Sequence, residues 1–278
     1  MSDSGLDEVR GFFARLMAAA SGSSDPRLER IFELVPREAF MGPGPWHVRA
    51  GRQYVQTPDN DPRYLYQNAL VALDMNKGIN NGEPFLHARW IGLVAPQPGE
   101  HVSHVGAGTG YYTAILSMLV LPDGKVDAYE IREDLASAAE HNLQPFENVS
   151  KIGGDAVATP LSPSDLIYVN AGVAEPPQHW LDALKPGGRL LFPWCPSQNG
   201  GVAVLVTRTA GGFTAKPMMP VWFIPCIGAS ETAPCDTAPT QQTAWKVRSI
   251  HVRETHPPDA SAIAVYRHVW FSSKTIDT

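Results

Sequence analysis

The run Glu100–Tyr112, EHVSHVGAGTGYY, limits this chain more than any other stretch. Val102 and Val105 bracket Ser103 and His104 in a short strand-like segment. Gly106-Ala107-Gly108-Thr109-Gly110 interrupts it, and Ile115, Leu116, Met118 and Leu119 then follow in a helical pattern. Strand, glycine bend and helix in that order make the ligand-binding end of a βαβ unit. Glycines admit a ligand where a Cβ would block it, and a helix start leaves N–H groups without intrahelical partners.

The glycine spacing narrows the ligand. A dinucleotide site asks for G-x-G-x-x-G. Here the pattern is G-x-G-x-G, with Tyr111 in the place of the last glycine. Tyr111 would crowd a diphosphate but could line a site for a smaller, uncharged or cationic ligand. Glu130 closes the next apolar segment roughly 20 residues on, where a carboxylate can accept from both ribose hydroxyls. Together these features read as a site for S-adenosyl-L-methionine. The other reading is an ordinary βα turn in a domain that holds no nucleoside.

Composition excludes several classes. A length of 278 residues suits one large α/β domain with attachments or two small ones, and 44% hydrophobic content supplies a core. A net charge of −6 argues against a nucleic-acid partner. No apolar run approaches the length of a membrane span, and the acidic start MSDSGLDEVRGFF does not resemble a secretory signal. Cys195, Cys226 and Cys235 are odd in number and lack metal spacing, which fits free thiols in a cytoplasmic protein without a metal site.

Apolar spacing predicts a helix over Leu6–Met17, with Ser4 and Asp7 as a capping box, and a second after Asp25-Pro26. Residues 37–63 lack periodicity and read as a wrapped loop pinned by Trp46 and Tyr54. Helices are expected at 85–94, 132–143 and 175–184. Strands are expected at 126–130, 149–152, 165–169 and 189–194, with Lys185–Gly188 a tight turn. Strands alternating with helices imply an α/β, Rossmann-like doubly wound, mostly parallel sheet. Two strands, 202–208 and 221–227, would form an antiparallel hairpin at one edge, and two further β-like stretches, 245–253 and 262–271, have no assigned place. The chain divides into an N-terminal helical and loop segment (1–84), a cofactor-binding core (85–230) and a C-terminal extension (231–278).

With these segments in order, the chain resembles the protein-L-isoaspartate O-methyltransferases over roughly residues 28–228. Val35–Phe40, VPREAF, is similar to that family's VPRE-x-F segment, and Val102–Tyr111 to its first cofactor motif. Leu184–Pro193, LKPGGRLLFP, is similar to LKPGGRLVIP, and Val221–Gly228, VWFIPCIG, to V-x-F-V-P-L-x-G. The resemblance implies a methyltransferase fold and methyl transfer from S-adenosylmethionine to the free carboxylate of an isoaspartyl residue. It implies that Gly106, Gly108, Thr109 and Gly110 cradle the methionine part of the cofactor. It assigns the ribose to Glu130 with Ile131 beside it, and the adenine to Asp155 with Ala156. Asn170 is placed at the exit of the 165–169 strand.

Two departures stand out. His104 replaces an acidic residue two before the first glycine, where a satisfied core histidine is the plainer reading. The family's G-Q-T-I-S-x-P turn reads Gly78-Ile79-Asn80-Asn81-Gly82-Glu83-Pro84 here, so both hydroxyls are missing, while His87-Ala88 still fits. Asn80 and Asn81 carry amide donors that suit a carboxylate, and Glu83 suits a cationic or hydroxyl group; all three types are also ordinary turn and cap residues. The expected acceptor is thus a peptide, protein or small-molecule carboxylate, with a specialised O- or N-methyltransferase and a non-catalytic cofactor-binding scaffold as alternatives. A nicotinamide dehydrogenase is disfavoured by Tyr111 and by the lack of a Tyr/Lys or zinc pattern.

Overall fold

The computed structural model describes residues 4–150, 153–197, 200–230 and 235–276. In chain order its elements begin with α1 (Ser4–Ser21), α2 (Arg27–Leu34), β1 (His47–Ala50), β2 (Gln53–Gln56), β3 (Ala72–Asp74), β4 (Ile79–Asn80) and α3 (Pro84–Val94). There follow β5 (His101–Val105), α4 (Tyr111–Leu119), β6 (Lys125–Tyr129), α5 (Glu133–Asn142), β7 (Val149–Ser150), β8 (Ser164–Val169) and α6 (Gln178–Ala183). The chain then runs through β9 (Leu184–Ser197), β10 (Gly200–Thr209), β11 (Gly212–Val221), α7 (Gln241–Ala244), β12 (Ser249–Val252), β13 (Ala262–Val265) and β14 (Val269–Ser272). Two compact units result, Met1–Gly99 with Ala107–Gly153, and Glu100–Gly106 with Gly154–Thr278.

In the first unit, α1 buries Phe13, Ala14 and Met17, and α2 buries Leu28, Ile31 and Phe32, the one-sided pattern that makes a surface helix adhere to a core. Asp25 holds the start of α2: its Oδ1 accepts from Arg27 N at 2.9 Å and its carboxylate pairs with the same guanidinium at 2.6 Å. The side chain of Ser4 lies outside the described residues, as do Lys151 and Ile152 at the end of the expected 149–152 strand. β6 and β7 pair in parallel. Residues 37–63 differ from the expected loop. They contain an antiparallel hairpin, β1 with β2, turned at Gly51 with φ +60°. Only Val48 is buried there, so the strands carry no alternating apolar face to read. Trp46 is buried with Nε1 donating to Gly42 O at 3.0 Å, and Tyr54 lies under the Arg49 guanidinium.

In the second unit the strand order is β13-β14-β12-β11-β10-β9-β8-β5. β5, β8 and β9 are parallel, and Val105 lies opposite Val169. β5 and the inner half of β8 are buried throughout, as parallel strands covered on both faces must be. Between β8 and β9 the register passes from Ser164↔Leu184 to Leu166↔Arg189. Lys185–Gly188 therefore bulges out of one long strand, with Gly187 at φ +76°. The hairpin partner of β10 is residues 212–221, not 221–227. Pro217 and Pro220 hide this strand in the sequence, because proline breaks a ladder; a register shift at Ala203/Val204 accommodates them. Beyond the hairpin, β12 joins β11 at Phe213 and Thr214, and β14 and β13 follow, so the C-terminal stretches are added sheet.

Candidate active site

The glycine bend and the carboxylate are tied together within the first unit. Gly108 N donates to Glu130 Oε2 at 2.8 Å, Ala107 N to Tyr129 O at 3.1 Å, and Gly110 N to Ala107 O at 3.0 Å. Gly108 has φ +58° and Gly110 φ +96°, left-handed values that favour glycine. The second carboxylate oxygen, Oε1, accepts from Arg132 N at 3.0 Å. Burial pushes the Glu130 carboxyl up, and these two N–H groups hold it back. A carboxylate offers about four acceptor positions, so two remain for other donors. Ile131, the next residue, leaves its apolar side chain 40% exposed. Helix α4 begins at Tyr111 without a side-chain cap, and Asn142 Nδ2 donates to Thr109 O at 3.0 Å.

Tyr111 does not line an open site. Its ring is buried against Phe40 and Tyr112, under the Arg37 guanidinium, and its hydroxyl has no hydrogen-bond partner. As the first residue of α4 its side chain points back toward the preceding turn.

Asn80, Asn81 and Glu83 also lie in this unit. Asn80 Oδ1 accepts from Gly82 N at 3.0 Å, an Asx turn. Asn81 is buried; its Oδ1 accepts from Val71 N at 3.0 Å and from Arg37 Nη2 at 3.3 Å, while its Nδ2 is buried without a partner. Glu83 is exposed and accepts from Asn68 Nδ2 at 2.7 Å. Arg37 is the residue that sequence reasoning passed over. It is fully buried and spans three backbone carbonyls, Leu65, Gln67 and Ala69, besides Asn81. An arginine buried without a carboxylate partner is the available signal, and only the fold reveals it.

Gly78 and Gly82 turn the loop with φ +66° and +80°. A Cβ on Gly82 would lie 2.3 Å from His87 Nε2, and His87 is stacked on Tyr112 with centroids 3.8 Å apart.

The second unit holds Gly106, Asp155, Ala156 and Asn170. A Cβ on Gly106, at φ +76°, would lie 3.4–3.5 Å from Asn170, whose N–H donates to Val105 O at 2.8 Å. Asn170 Nδ2 lies 2.8 Å from His104 Nε2, and Asn170 Oδ1 is buried without a partner. His104 is fully buried, and burial pushes its ring down to about 3, so the imidazole is neutral. With Nδ2 donating, Nε2 is the bare nitrogen of that ring. Asp155 Oδ1 caps its own turn, accepting from Val157 N at 2.8 Å and Ala158 N at 3.1 Å. Ala156 O accepts from Trp180 Nε1 at 2.8 Å and contacts His179 Nε2 at 3.0 Å.

Known proteins share this arrangement of elements and motifs. The sequence pattern of the protein-L-isoaspartate(D-aspartate) O-methyltransferase family matches residues 51–231. The chain belongs to that family. Protein-L-isoaspartate O-methyltransferase 2 of Rhodopseudomonas palustris (strain HaA2) is 32% identical over 186 residues, 63% of this chain and 85% of that protein. A protein-L-isoaspartate O-methyltransferase of Bradyrhizobium sp. (strain BTAi1) is 31% identical over 208 residues, 74% of this chain and 88% of its own. A solved protein-L-isoaspartate O-methyltransferase superposes with a TM-score of 0.67 at 26% identity, covering 80% of this chain and 66% of the other. A Plasmodium falciparum β-aspartate methyltransferase solved with S-adenosyl-L-homocysteine shares the fold, at TM-score 0.61 and 18% identity, covering 78% of this chain and 97% of the other.

Family and fold make this chain an S-adenosylmethionine-dependent methyltransferase with a Rossmann-like architecture. The first unit's residues fit that cofactor: left-handed glycines at 108 and 110 and a buried carboxylate with acceptor positions to spare. Among the described residues, no helix is long and apolar enough to cross a membrane, and no group of three or more His, Cys, Asp or Glu is placed to hold a metal.

Proposed function

We propose that the chain methylates a carboxylate of a polypeptide, of the isoaspartyl kind for which its relatives are named. The observation that carries the reading is the Gly108 N–H to Glu130 bond, which joins a glycine bend to a carboxylate 22 residues away. In this reading Gly106, Gly108, Thr109 and Gly110 take the methionine part of S-adenosylmethionine, and Glu130 the ribose hydroxyls. Ile131 lies beside the ribose, Asp155 and Ala156 take the adenine, and Asn170 offers its buried oxygen to a donor of the ligand. The bound sulfonium supplies an electrophilic methyl group and a good, neutral leaving group. The residues around it align the acceptor and exclude water. A carboxylate nucleophile with a reference pKa of about 4 needs no general base at neutral pH. Asn80 and Asn81 would orient it through their amide donors, and Glu83 would bias the mouth of the loop against a second anion.

Gly82 favours a second reading, a carboxylate presented in a different peptide context, since the loop has no hydroxyl and no room for a side chain beside His87. A cytoplasmic setting goes with either reading and with the free thiols of Cys195, Cys226 and Cys235.

The test is methyl transfer from labelled cofactor to matched isoaspartyl and aspartyl peptides. Base-labile methyl ester on the isoaspartyl peptide alone is the expected result. No ester on it, with S-adenosylhomocysteine still bound, would overturn the isoaspartyl assignment.

A further inference from the structure

A cavity of about 420 Å³ opens in the second unit where the ends of β9 and β11 and the start of β10 meet α7. That volume lies within the ~300–1,000 Å³ of ligand-sized clefts. Trp194, Trp222 and Trp245 wall it together with Pro196, Pro220 and Pro239, and none of its described lining residues is charged. Five lining residues, Pro239, Thr240, Gln241, Ala244 and Trp245, lie past residue 231, where the family pattern stops. The cavity is therefore built jointly by a strand within the family pattern and by a segment beyond it.

Its back wall is fixed. Trp194 is stacked on Phe271 with centroids 4.1 Å apart, and its Nε1 donates to Ala174 O at 3.0 Å and reaches Tyr266 Oη at 3.2 Å. Thr240 and Thr243 form a capping box that sets the start of α7. Its outer walls are bare: Trp222 is 78% exposed and Trp245 40% exposed, and Ile224 and Ile227 are exposed beside Trp222 in sequence. Large apolar side chains clustered in the open mark a binding surface. The backbone just after Trp222 is tied to the exit of β8. Gly172 N donates to Ile224 O at 2.7 Å and Cys226 N to Gly172 O at 2.8 Å, two residues after Asn170. Ligands of α/β sheets collect at the carboxyl ends of such strands.

We propose that this cavity is a subsite for an uncharged apolar side chain, proline or aromatic, of the polypeptide that presents the carboxylate. The proposal rests on the polypeptide-acceptor reading above. Indole and proline faces without charge match that occupant, because aromatic-lined grooves take extended proline-containing segments by ring stacking.

The test uses two peptides without any isoaspartyl residue, one with proline and tryptophan, the other with glycine and serine. Their binding to wild type, to Trp222→Ala/Trp245→Ala and to Trp222→Phe is measured by calorimetry. The apolar peptide should bind wild type about tenfold tighter or more, the difference should vanish in the double variant, and Trp222→Phe should keep most of it. S-adenosylhomocysteine affinity should not move, which controls for folding. If the double variant does not fold, single Trp222→Ala removes a ring that is already mostly in solvent and should lose at least part of the preference. Equal binding of both peptides by wild type, or a preference that survives removal of the indoles, overturns the subsite. A dimer that the same variants dissociate in sedimentation also overturns it, by assigning the cavity to a second copy of the chain. Failure of methyl transfer leaves the binding result intact, so the two readings fail separately.

Discussion

Gly108 and Gly110 sit two residues apart in the same bend, yet alanine should do different things at each. At Gly108, φ +58°, a Cβ would meet only Leu73 Cδ1 at 3.8 Å, an ordinary contact. The cost is then the left-handed conformation alone, about 1–2 kcal/mol. At roughly 2–4 °C per kcal/mol for a chain of this size class, Gly108→Ala should melt about 2–8 °C lower. At Gly110, φ +96°, a Cβ would lie 2.8 Å from Leu143 Cδ1 and 2.9 Å from its Cγ. Leu143 is itself buried, so it cannot swing clear. Backbone strain of about 1–3 kcal/mol adds to overpacking of about 1–3 kcal/mol. That sum is a large share of a typical net stability of about 5–15 kcal/mol. Thermal melts with calorimetric titration of S-adenosylhomocysteine separate the two effects. Gly108→Ala should stay folded and lose affinity about tenfold or more, because its methyl group clashes with nothing in the protein and would occupy space left to the ligand. Gly110→Ala should lose the fold first. If Gly108→Ala binds the nucleoside as tightly as wild type, the bend is a conformational device only and the cofactor assignment of all four residues falls.

Two further outcomes test the rest of the site. Burial raises the Glu130 carboxyl above its ordinary 4.5, so the folded chain takes up this proton before the unfolded chain does. Its contribution to stability is thus complete below the unfolded value and lost as pH rises through the folded one. Ligand affinity should run the opposite way, since the ionised form alone accepts from two hydroxyls: S-adenosylhomocysteine binding should weaken as pH falls through the folded value, and Glu130→Gln should bind weakly with no such pH dependence. Wild-type affinity that is unchanged down to pH 4.5 would remove Glu130 from the ribose site. Restoring the family hydroxyl by Gly82→Ser should destabilise the chain by about 2–6 kcal/mol. Its Cβ falls 2.3 Å from His87 Nε2 and 3.2 Å from Tyr112 Cε2, at φ +80°. A Gly82→Ser protein that melts with wild type and gains isoaspartyl activity would show that the loop adapts to a side chain.

The parts of the fold that were legible from sequence are those whose physics is local. The glycine bend, the helix after it and the carboxylate closing β6 fall within one βαβ unit, and the Gly108–Glu130 bond follows from backbone geometry over 22 residues. What stayed hidden depends on distant partners or on broken rules. β1 and β2 bury one valine between them, so no period marks them. β11 carries two prolines, and the residue it holds in excess at Met218, opposite Ala203/Val204, marks a bulge that no sequence period shows. Tyr111 stands in the sequence where a residue could line the ligand, but the side-chain direction at a helix start and the burial of Arg37 turn it inward. The extension gave two β-like stretches without a place. Their place is set by Phe271 and Tyr266 meeting Trp194, more than seventy residues away in sequence.

The acceptor loop bears on why this chain departs from its family there. The oxygens of Asn80 and Asn81 are occupied by Gly82 N, Val71 N and Arg37, and one Glu83 oxygen by Asn68. The fold thus occupies the asparagine oxygens and leaves the buried Asn81 Nδ2 without a partner, while the second oxygen of the exposed Glu83 stays an acceptor. Amide donors of this kind suit an anion, in keeping with the proposed carboxylate acceptor. They do not discriminate one carboxylate from another, and Gly82 adds neither a hydroxyl nor a steric test. Discrimination must then come from groups that contact the flanking residues of the acceptor. The proposed subsite would supply such groups, Trp222 from within the family pattern and Trp245 from beyond it. Under the proposed function, selection would fall less on the carboxylate itself than on the side chains that flank it in the acceptor.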